Sequence, residues 1–400
     1  MSKIIPYGKH NINKEDIRSV IKVLQSDFLT QGPVIEKFEK DFAKYVGAKH
    51  AVSVSNGTSA LHLSMLAMNI SPKDKVITTP ITFVATANCV KYCGGEVVFC
   101  DINPENHLLD FNKVKKLLEN SPKGTYKGII PVDFTGMPIN MEEYRLLADE
   151  FDLWIIEDSC HAPGGYFSDS DGNIQKCGNG KYADLAIFSF HPVKHITCGE
   201  GGMITTNNSK LFEKIKKLRT HGITKNHNDF INPIKISGGG GGSKYPGWYM
   251  EMQELGYNSR LSDINAALGL SQLKRASQNL RLRKQIAQKY INELNTNFYK
   301  HTTIEGHAYH LFIILCEKRQ ELYEYLRKNK IYTQVHYFPI HLMPFYERSK
   351  FYNKKDLSNS ELYYGKCLSI PMYPTLSSKD QEFIINKMNN FFEKYNHKLQ

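Results

Sequence analysis

Short apolar runs alternate with amphipathic stretches along the first two-thirds of the chain. The runs fall at residues 49–55, 75–79, 96–100, 128–133, 153–157, 183–190 and 203–206. Several are apolar throughout, the pattern of strands covered on both faces. Helical spacing predicts helices between them, at 58–68 and 141–151. Near the start, Asn13 reads as an N-cap with Asp16 three residues on. Ile17, Val20, Ile21 and Leu24 follow at helical spacing. This alternation predicts a large α/β domain with a mostly parallel sheet. The character changes near residue 260. A long helical stretch over 261–294 is followed by a strand at 308–315, a helix at 318–328, a strand at 332–336 and a final helix at 379–395. That pattern predicts a small α+β domain. The expected division is 1–265 and 266–400, with the long helix linking the two.

Composition narrows this picture only a little. The chain has 400 residues, 41% hydrophobic and 23% charged, ordinary for a soluble globular protein. No apolar run reaches the ~18 residues of a membrane span. The segment Met1–Tyr7 shows no signal-peptide pattern. The eight cysteines form no Cys-x-x-Cys pair, so neither a zinc nor a thioredoxin-type site is expected. Reduced thiols and a cytoplasmic location are the expectation, with no metal and no membrane partner. The net charge of +11 leaves nucleic acid, an acidic membrane surface or a phosphorylated small molecule open as partner. No helix-turn-helix, RNP or zinc motif supports nucleic acid.

Open parallel sheets bind ligands beyond the C-terminal ends of their strands. After 49–55 comes Asn56-Gly57-Thr58-Ser59, opening a helix. Free amides there suit a phosphate, although a plain N-cap explains the same residues. After 153–157 come Asp158 and His161. Such an acid serves either a cofactor or a helix cap. After 183–190 comes His191-Pro-Val-Lys194-His195, then Gly199-Glu-Gly-Gly202. A lysine at that place can condense with a carbonyl cofactor, but most lysines are solvated surface groups. The run Gly238–Gly242 lacks the Gly-Lys-Ser/Thr of a phosphate loop and reads as a flexible loop, either a flap or a spacer. Residue by residue, this describes an α/β protein that binds a phosphate.

Taken together, these segments resemble the DegT/DnrJ/EryC1/StrS family of pyridoxal-phosphate-dependent nucleotide-sugar aminotransferases. The resemblance is carried in order by Leu29-Thr-Gln-Gly-Pro33, Ser55-Asn-Gly-Thr-Ser-Ala-Leu61, residues 79–88, Ile156-Glu-Asp-Ser-Cys-His-Ala162, Ser189-Phe-His-Pro-Val-Lys194, residues 256–263 and His336-Tyr-Phe-Pro-Ile-His341. It implies an aspartate aminotransferase-like fold with a large, mostly parallel seven-stranded sheet. It also implies that Lys194 bonds the aldehyde of pyridoxal phosphate and then shuttles a proton. The dehydratase branch has histidine at that position; His195 is offset by one and does not fill it. Asp158 would pair with the pyridinium nitrogen, His161 would lie near the cofactor's 3′-oxygen, and Phe83 would stack on its ring. Gly57, Thr58, Ser59 and Ser189 would hold the phosphate. Asn258 would reach that phosphate from a neighbouring subunit, which implies a homodimer with shared sites. Tyr7, Thr30, Gln31, His336 and Tyr337 would line the nucleotide-sugar site.

Within the family, residues 79–88, 189–202 and 248–258 are similar to the branch that aminates C4 of a UDP-4-keto-6-deoxy-N-acetylhexosamine in pseudaminic acid biosynthesis. The implied product is UDP-4-amino-4,6-dideoxy-N-acetyl-β-L-altrosamine. L-glutamate would be the donor, with pyridoxamine phosphate formed in the half-reaction. Aminotransferases for 4-amino-arabinose, perosamine or bacillosamine precursors are alternatives, as is a non-catalytic regulator that binds the cofactor.

Overall fold

The structure, a computed structural model, describes residues 4–238, 244–295, 305–348 and 354–396. Residues 239–242 of the glycine run lie outside the described residues. The first helix, α1 (Lys14–Leu24), begins as its sequence predicts. Asn13 and Asp16 exchange side-chain-to-backbone hydrogen bonds of 2.9 Å in both directions. The Asp16 carboxylate also accepts from Gln272 (2.8 Å) and from the Arg275 guanidinium, which docks the cap on a distant helix. The apolar stripe behaves differently. Ile17, Ile21 and Leu24 are exposed, and Val23 is buried instead. The second helix, α2 (Pro33–Val46), starts on a proline and ends on Gly47 in the left-handed region.

Seven strands form the main sheet: β1 (His50–Val54), β2 (Lys75–Thr78), β3 (Glu96–Phe99), β4 (Gly128–Ile130), β5 (Trp154–Asp158), β6 (Leu185–Ser189) and β7 (Gly202–Thr206). Their order is β1-β7-β6-β5-β4-β2-β3. The pairs from β6 through β5, β4 and β2 to β3 are parallel; β7 is antiparallel to both β6 and β1. The sheet has the strand number and mostly parallel character expected of it. Its register needs a glycine at one point, because a Cβ on Gly128 would lie 2.2 Å from the Trp154 ring on the next strand.

The C-terminal third departs from expectation in two places. The stretch 261–294 is two helices, Asp263–Leu273 and Ala276–Glu293, broken at Lys274–Arg275. Arg275 turns back to bond Asp16 and the Asn11 carbonyl. Nor is 332–336 a strand. Only Gln334 makes a bridge, to Ser369. The paired strands here are Phe312–Leu315 and Cys367–Ile370, antiparallel, with the helices Arg319–Lys328 and Ser378–Asn396 beside them. Among the described residues no helix is long and apolar enough to cross a membrane.

Arg283, 2% exposed, joins these parts. It donates to the carbonyls of Tyr309 (3.2 Å), His310 (3.2 Å) and Met372 (3.1 Å). Burial lowers its pKa to about 10, which still leaves it charged at neutral pH. Carbonyl dipoles thus solvate a cation inside the protein. Replacing Arg283 with Ala should cost about 3 kcal/mol of unfolding free energy, since three charge-assisted bonds of ~1.5–3 kcal/mol each and the packing of the side chain are lost while the desolvation penalty of the buried cation is relieved. Denaturant unfolding of the variant against wild type measures it.

Candidate active site

A cavity of about 960 Å³ opens beyond the C-terminal ends of β5 and β6 and the start of the helix α3 (Gly57–Ala67). This is the crevice where an open α/β sheet binds ligands. Chains of the large sheet and of the C-terminal region both wall it.

Asp158 is the last residue of β5 and is buried. Its Oδ2 accepts from the Thr86 hydroxyl at 2.8 Å and its Oδ1 from the Cys160 amide at 3.2 Å. Thr86 lies in the helix α4 (Ala85–Tyr92), one turn beyond Thr82, whose hydroxyl is 3.0 Å away. Among the described residues no lysine, arginine or histidine forms an ion pair with Asp158. Its carboxyl group is oriented but free to meet a cationic N–H.

Lys194 stands on the same wall, in the turn after β6, where its amide donates to the His191 carbonyl at 2.9 Å. Burial draws its ammonium below the ordinary lysine range, against the opposing pull of Cys160 and Asp158. That shift raises the neutral, nucleophilic fraction of the amine.

Three imidazoles surround the lysine. His161 stacks on His310 with centroids 4.3 Å apart and 30° between planes, and His195 is 5.6 Å from His310. The pKa of each lies well below the ordinary value, through burial first and neighbouring cationic groups second. All three are neutral near pH 7. His161 Nε2 is 3.3 Å from the Tyr337 hydroxyl. His336 bonds Ser369 Oγ at 2.7 Å, and burial and then Lys194 pull its pKa down to about 3. Tyr7 packs 5.4 Å from His336, ring to ring.

At the N-terminus of α3, Asn56 accepts the Ser59 amide at 2.8 Å, and the Ser59 hydroxyl bonds Ser55 at 2.9 Å. Gly57 and Thr58 line the cavity with Ser189 opposite. A Cβ at position 57 would lie 3.0 Å from Ser189 Cβ, so the cradle is tight. Helix dipole, amides and hydroxyls together suit a phosphate.

Most residues expected at the site therefore meet: Tyr7, Gly57, Thr58, Ser59, Phe83, Asp158, His161, Ser189, Lys194, His336 and Tyr337 all line the cavity. Phe83 is 57% exposed, so it is a wall residue and not a core one. Thr30, Gln31 and Asn258 do not line it. Thr30 bridges Ser262 and Asn258 bridges Thr220, while Gln31 opens onto a separate cleft with Arg219 and Arg260. Sequence reasoning missed Thr86, His310, Glu200 and Gln334. Thr86 had a signal, standing one helical turn from Thr82 inside the 79–88 motif; His310 had none.

The donor set fits pyridoxal phosphate: an amine nearer neutrality for the aldehyde, a carboxyl without a cation for the ring nitrogen, and an amide cradle for the phosphate. Comparisons agree. The model of the DegT/DnrJ/EryC1/StrS aminotransferase family matches residues 10–389. The UDP-4-amino-4,6-dideoxy-N-acetyl-β-L-altrosamine transaminase of Campylobacter jejuni is 37% identical over 402 residues, 98% of each chain. The spore coat polysaccharide biosynthesis protein SpsC of Bacillus subtilis is 35% identical over 395 residues, 95% of each. Among solved structures, Helicobacter pylori PseC, an aminotransferase involved in pseudaminic acid biosynthesis, superposes with a TM-score of 0.83 at 31% identity, covering 98% of this chain and 100% of that one.

The lowered Lys194 pKa has a chemical signature. At a given pH a larger fraction of Lys194 than of a surface lysine is neutral. In protein stripped of pyridoxal phosphate, its labelling by an amine-directed reagent should therefore rise with a midpoint below the ~10.4 of free lysine. Peptide mass spectrometry across a pH series reads that midpoint beside those of exposed lysines.

Proposed function

The chain belongs to the DegT/DnrJ/EryC1/StrS aminotransferase family, and on that premise we propose that it moves an amino group from L-glutamate to C4 of a UDP-4-keto-6-deoxy-N-acetylhexosamine. The products are 2-oxoglutarate and UDP-4-amino-4,6-dideoxy-N-acetyl-β-L-altrosamine. That the chain is a pyridoxal-phosphate-dependent sugar aminotransferase follows from the family; the particular sugar is our reading. One observation carries it most. Lys194 and Asp158 share one cavity, the first held toward its neutral form and the second in no ion pair among the described residues.

Bound pyridoxal phosphate supplies an aldehyde to take up the amino group and a cationic ring to draw electrons from the bond being broken. The chain's residues do the rest. Lys194 would hold the aldehyde and, as a free amine, would move a proton to or from the reacting carbon. Asp158, oriented by Thr86, keeps the ring nitrogen protonated. His161, neutral and tied to Tyr337, would serve the cofactor's phenolic oxygen. Phe83 covers the ring, and Gly57, Thr58, Ser59 and Ser189 take the phosphate. Tyr7, His336 and Tyr337 form the wall left for the sugar.

The nucleotide needs cations that this wall does not provide. Lys194 is the one lysine or arginine lining the cavity among the described residues. A second copy answers that need and also covers the exposed Ile17, Ile21, Leu24, Phe28 and Leu29. We therefore read the active form as a homodimer, with Asn258, Thr30 and Gln31 serving at the partner's site.

The protein should be yellow when purified, bleach with L-glutamate and recover its colour with the ketosugar. Lys194→Ala should lower kcat at least ~10⁴-fold. Asp158→Asn should weaken pyridoxal phosphate binding about 100-fold, the equivalent of ~3 kcal/mol for a broken buried pair. Product identification by NMR across UDP-, GDP- and dTDP-ketosugars decides the acceptor. Preference for a GDP or dTDP sugar would replace the reading, and absence of any turnover would favour a cofactor-binding regulator.

A further inference from the structure

Directly behind Asp158 lies a second pair of acids that the chemistry above does not use. Asp133, beyond the end of β4, and Glu157, on β5, are 1% and 4% exposed. With Cys177 they bring their polar atoms within 4.8 Å of one another. Neither has a cationic partner in an ion pair among the described residues.

The three side chains have the donor types of a metal site, but their oxygens are occupied. Asp133 Oδ1 accepts the Ile139 amide at 3.0 Å and Oδ2 the Ser159 hydroxyl at 2.8 Å. Both Glu157 oxygens share the single Gly178 amide, each at 3.0 Å. Two adjacent buried carboxylates without a cation are electrostatically untenable, and one proton between them removes the conflict. The donors show where that proton sits. Asp133 has a separate donor on each oxygen and is stabilised as the anion. Glu157 has one shared donor and is the better acid to stay neutral.

Asp133 is also part of the clamp on Asp158. Its amide donates to the Asp158 carbonyl at 3.1 Å, while the Asp158 amide donates to the Pro131 carbonyl at 2.9 Å. Ser159, which donates to Asp133, is the next residue along.

We propose that Glu157 is a neutral carboxylic acid donating its proton to the Asp133 carboxylate, and that this pair positions Asp158 for the ring nitrogen of the cofactor. The positioning half rests on the role given above to Asp158; the protonation half does not. Burial raises both acids, Asp133 to about 6 and Glu157 well above the usual carboxyl range; the Ile139 amide and the Ser159 hydroxyl pull Asp133 back down, while on Glu157 the pull of Ser159 and Gly178 is outweighed by burial and the Asp133 charge. Among the described residues, the thiols of Cys177 and Cys160 also face the pair. Burial keeps both thiols protonated, so neither supplies a positive charge.

Two variants of the full-length protein test this. Infrared spectra should show a protonated-carboxyl stretch at neutral pH that is absent from Glu157→Gln. Because the folded pKa of Glu157 lies well above its unfolded value, this group's contribution to wild-type stability is lost as pH rises above the ordinary carboxyl range, and the variant has no such contribution to lose. The melting temperature of Glu157→Gln relative to wild type should therefore climb with pH. Absence of the band, or a flat difference, overturns the shared proton. Asp133→Asn should weaken pyridoxal phosphate binding about tenfold or more, and Glu157→Gln by less than about threefold. Equal losses, or none in Asp133→Asn, overturn the positioning. If Asp133→Asn does not fold, Ser159→Ala removes one donor to the same carboxylate and should weaken binding about threefold, with no change overturning it. The infrared and melting measurements need neither cofactor nor sugar, so their failure is distinct from a failure of the transamination reading.

Discussion

The end of the strand Trp154–Asp158 is held by two backbone hydrogen bonds, from the Asp158 amide to Pro131 and from the Asp133 amide to the Asp158 carbonyl. These make one further parallel bridge, between Val132 and Asp158, two residues past the point where β4 ends. A parallel strand normally gives up its ladder there and leaves a crevice. Here the last carboxyl is fixed in the crevice, against the Thr86 hydroxyl. The lysine turn, the phosphate cradle and the histidine stack are all arranged around that fixed group.

A second constraint is charge. The interior around the cavity contains a buried guanidinium, Arg283, solvated by carbonyls, and an amine, Lys194, shifted toward neutrality. The imidazoles between them stay uncharged because burial and these cations both penalise protonation. A site so arranged can hold a lysine as a nucleophile without a general base beside it. The same environment leaves little positive charge for a diphosphate, which is why the exposed apolar face of the N-terminal helix and the bridge at Asn258 matter to the functional reading.

Much of this was legible in the chain. The strand runs were apolar because both faces are covered, and the cap at Asn13 was visible because its partners are three residues apart. The motif residues Gly57, Asp158, Ser189 and Lys194 each follow a strand, so locating the strands located them. The helix break at Lys274–Arg275 was not visible, because neither residue opposes helix and the cause is Asp16, far away in the chain. The stretch 332–336 has strand composition, yet His336 and Tyr337 are drawn to Ser369 and His161 instead of a ladder. The stripe Ile17, Val20, Ile21, Leu24 predicted an amphipathic helix, which forms, but Ile17, Ile21 and Leu24 lie exposed, since periodicity reports that a face is apolar and not what covers it.

The sequence by itself determined the order of elements, the positions of the chemical groups at strand ends and the family. These depend on local periodicity, on capping between near neighbours and on motifs read in order. Tertiary structure decided which groups touch and in what charge state. Thr86 reaches Asp158 across 72 residues, and His310 stacks on His161 from the other end of the chain. Whether Lys194 is an ordinary surface cation or a reactive amine, and whether Glu157 keeps its proton, depends on how much water is removed around each. Desolvation is a property of the packed assembly, and no single stretch of sequence carries it.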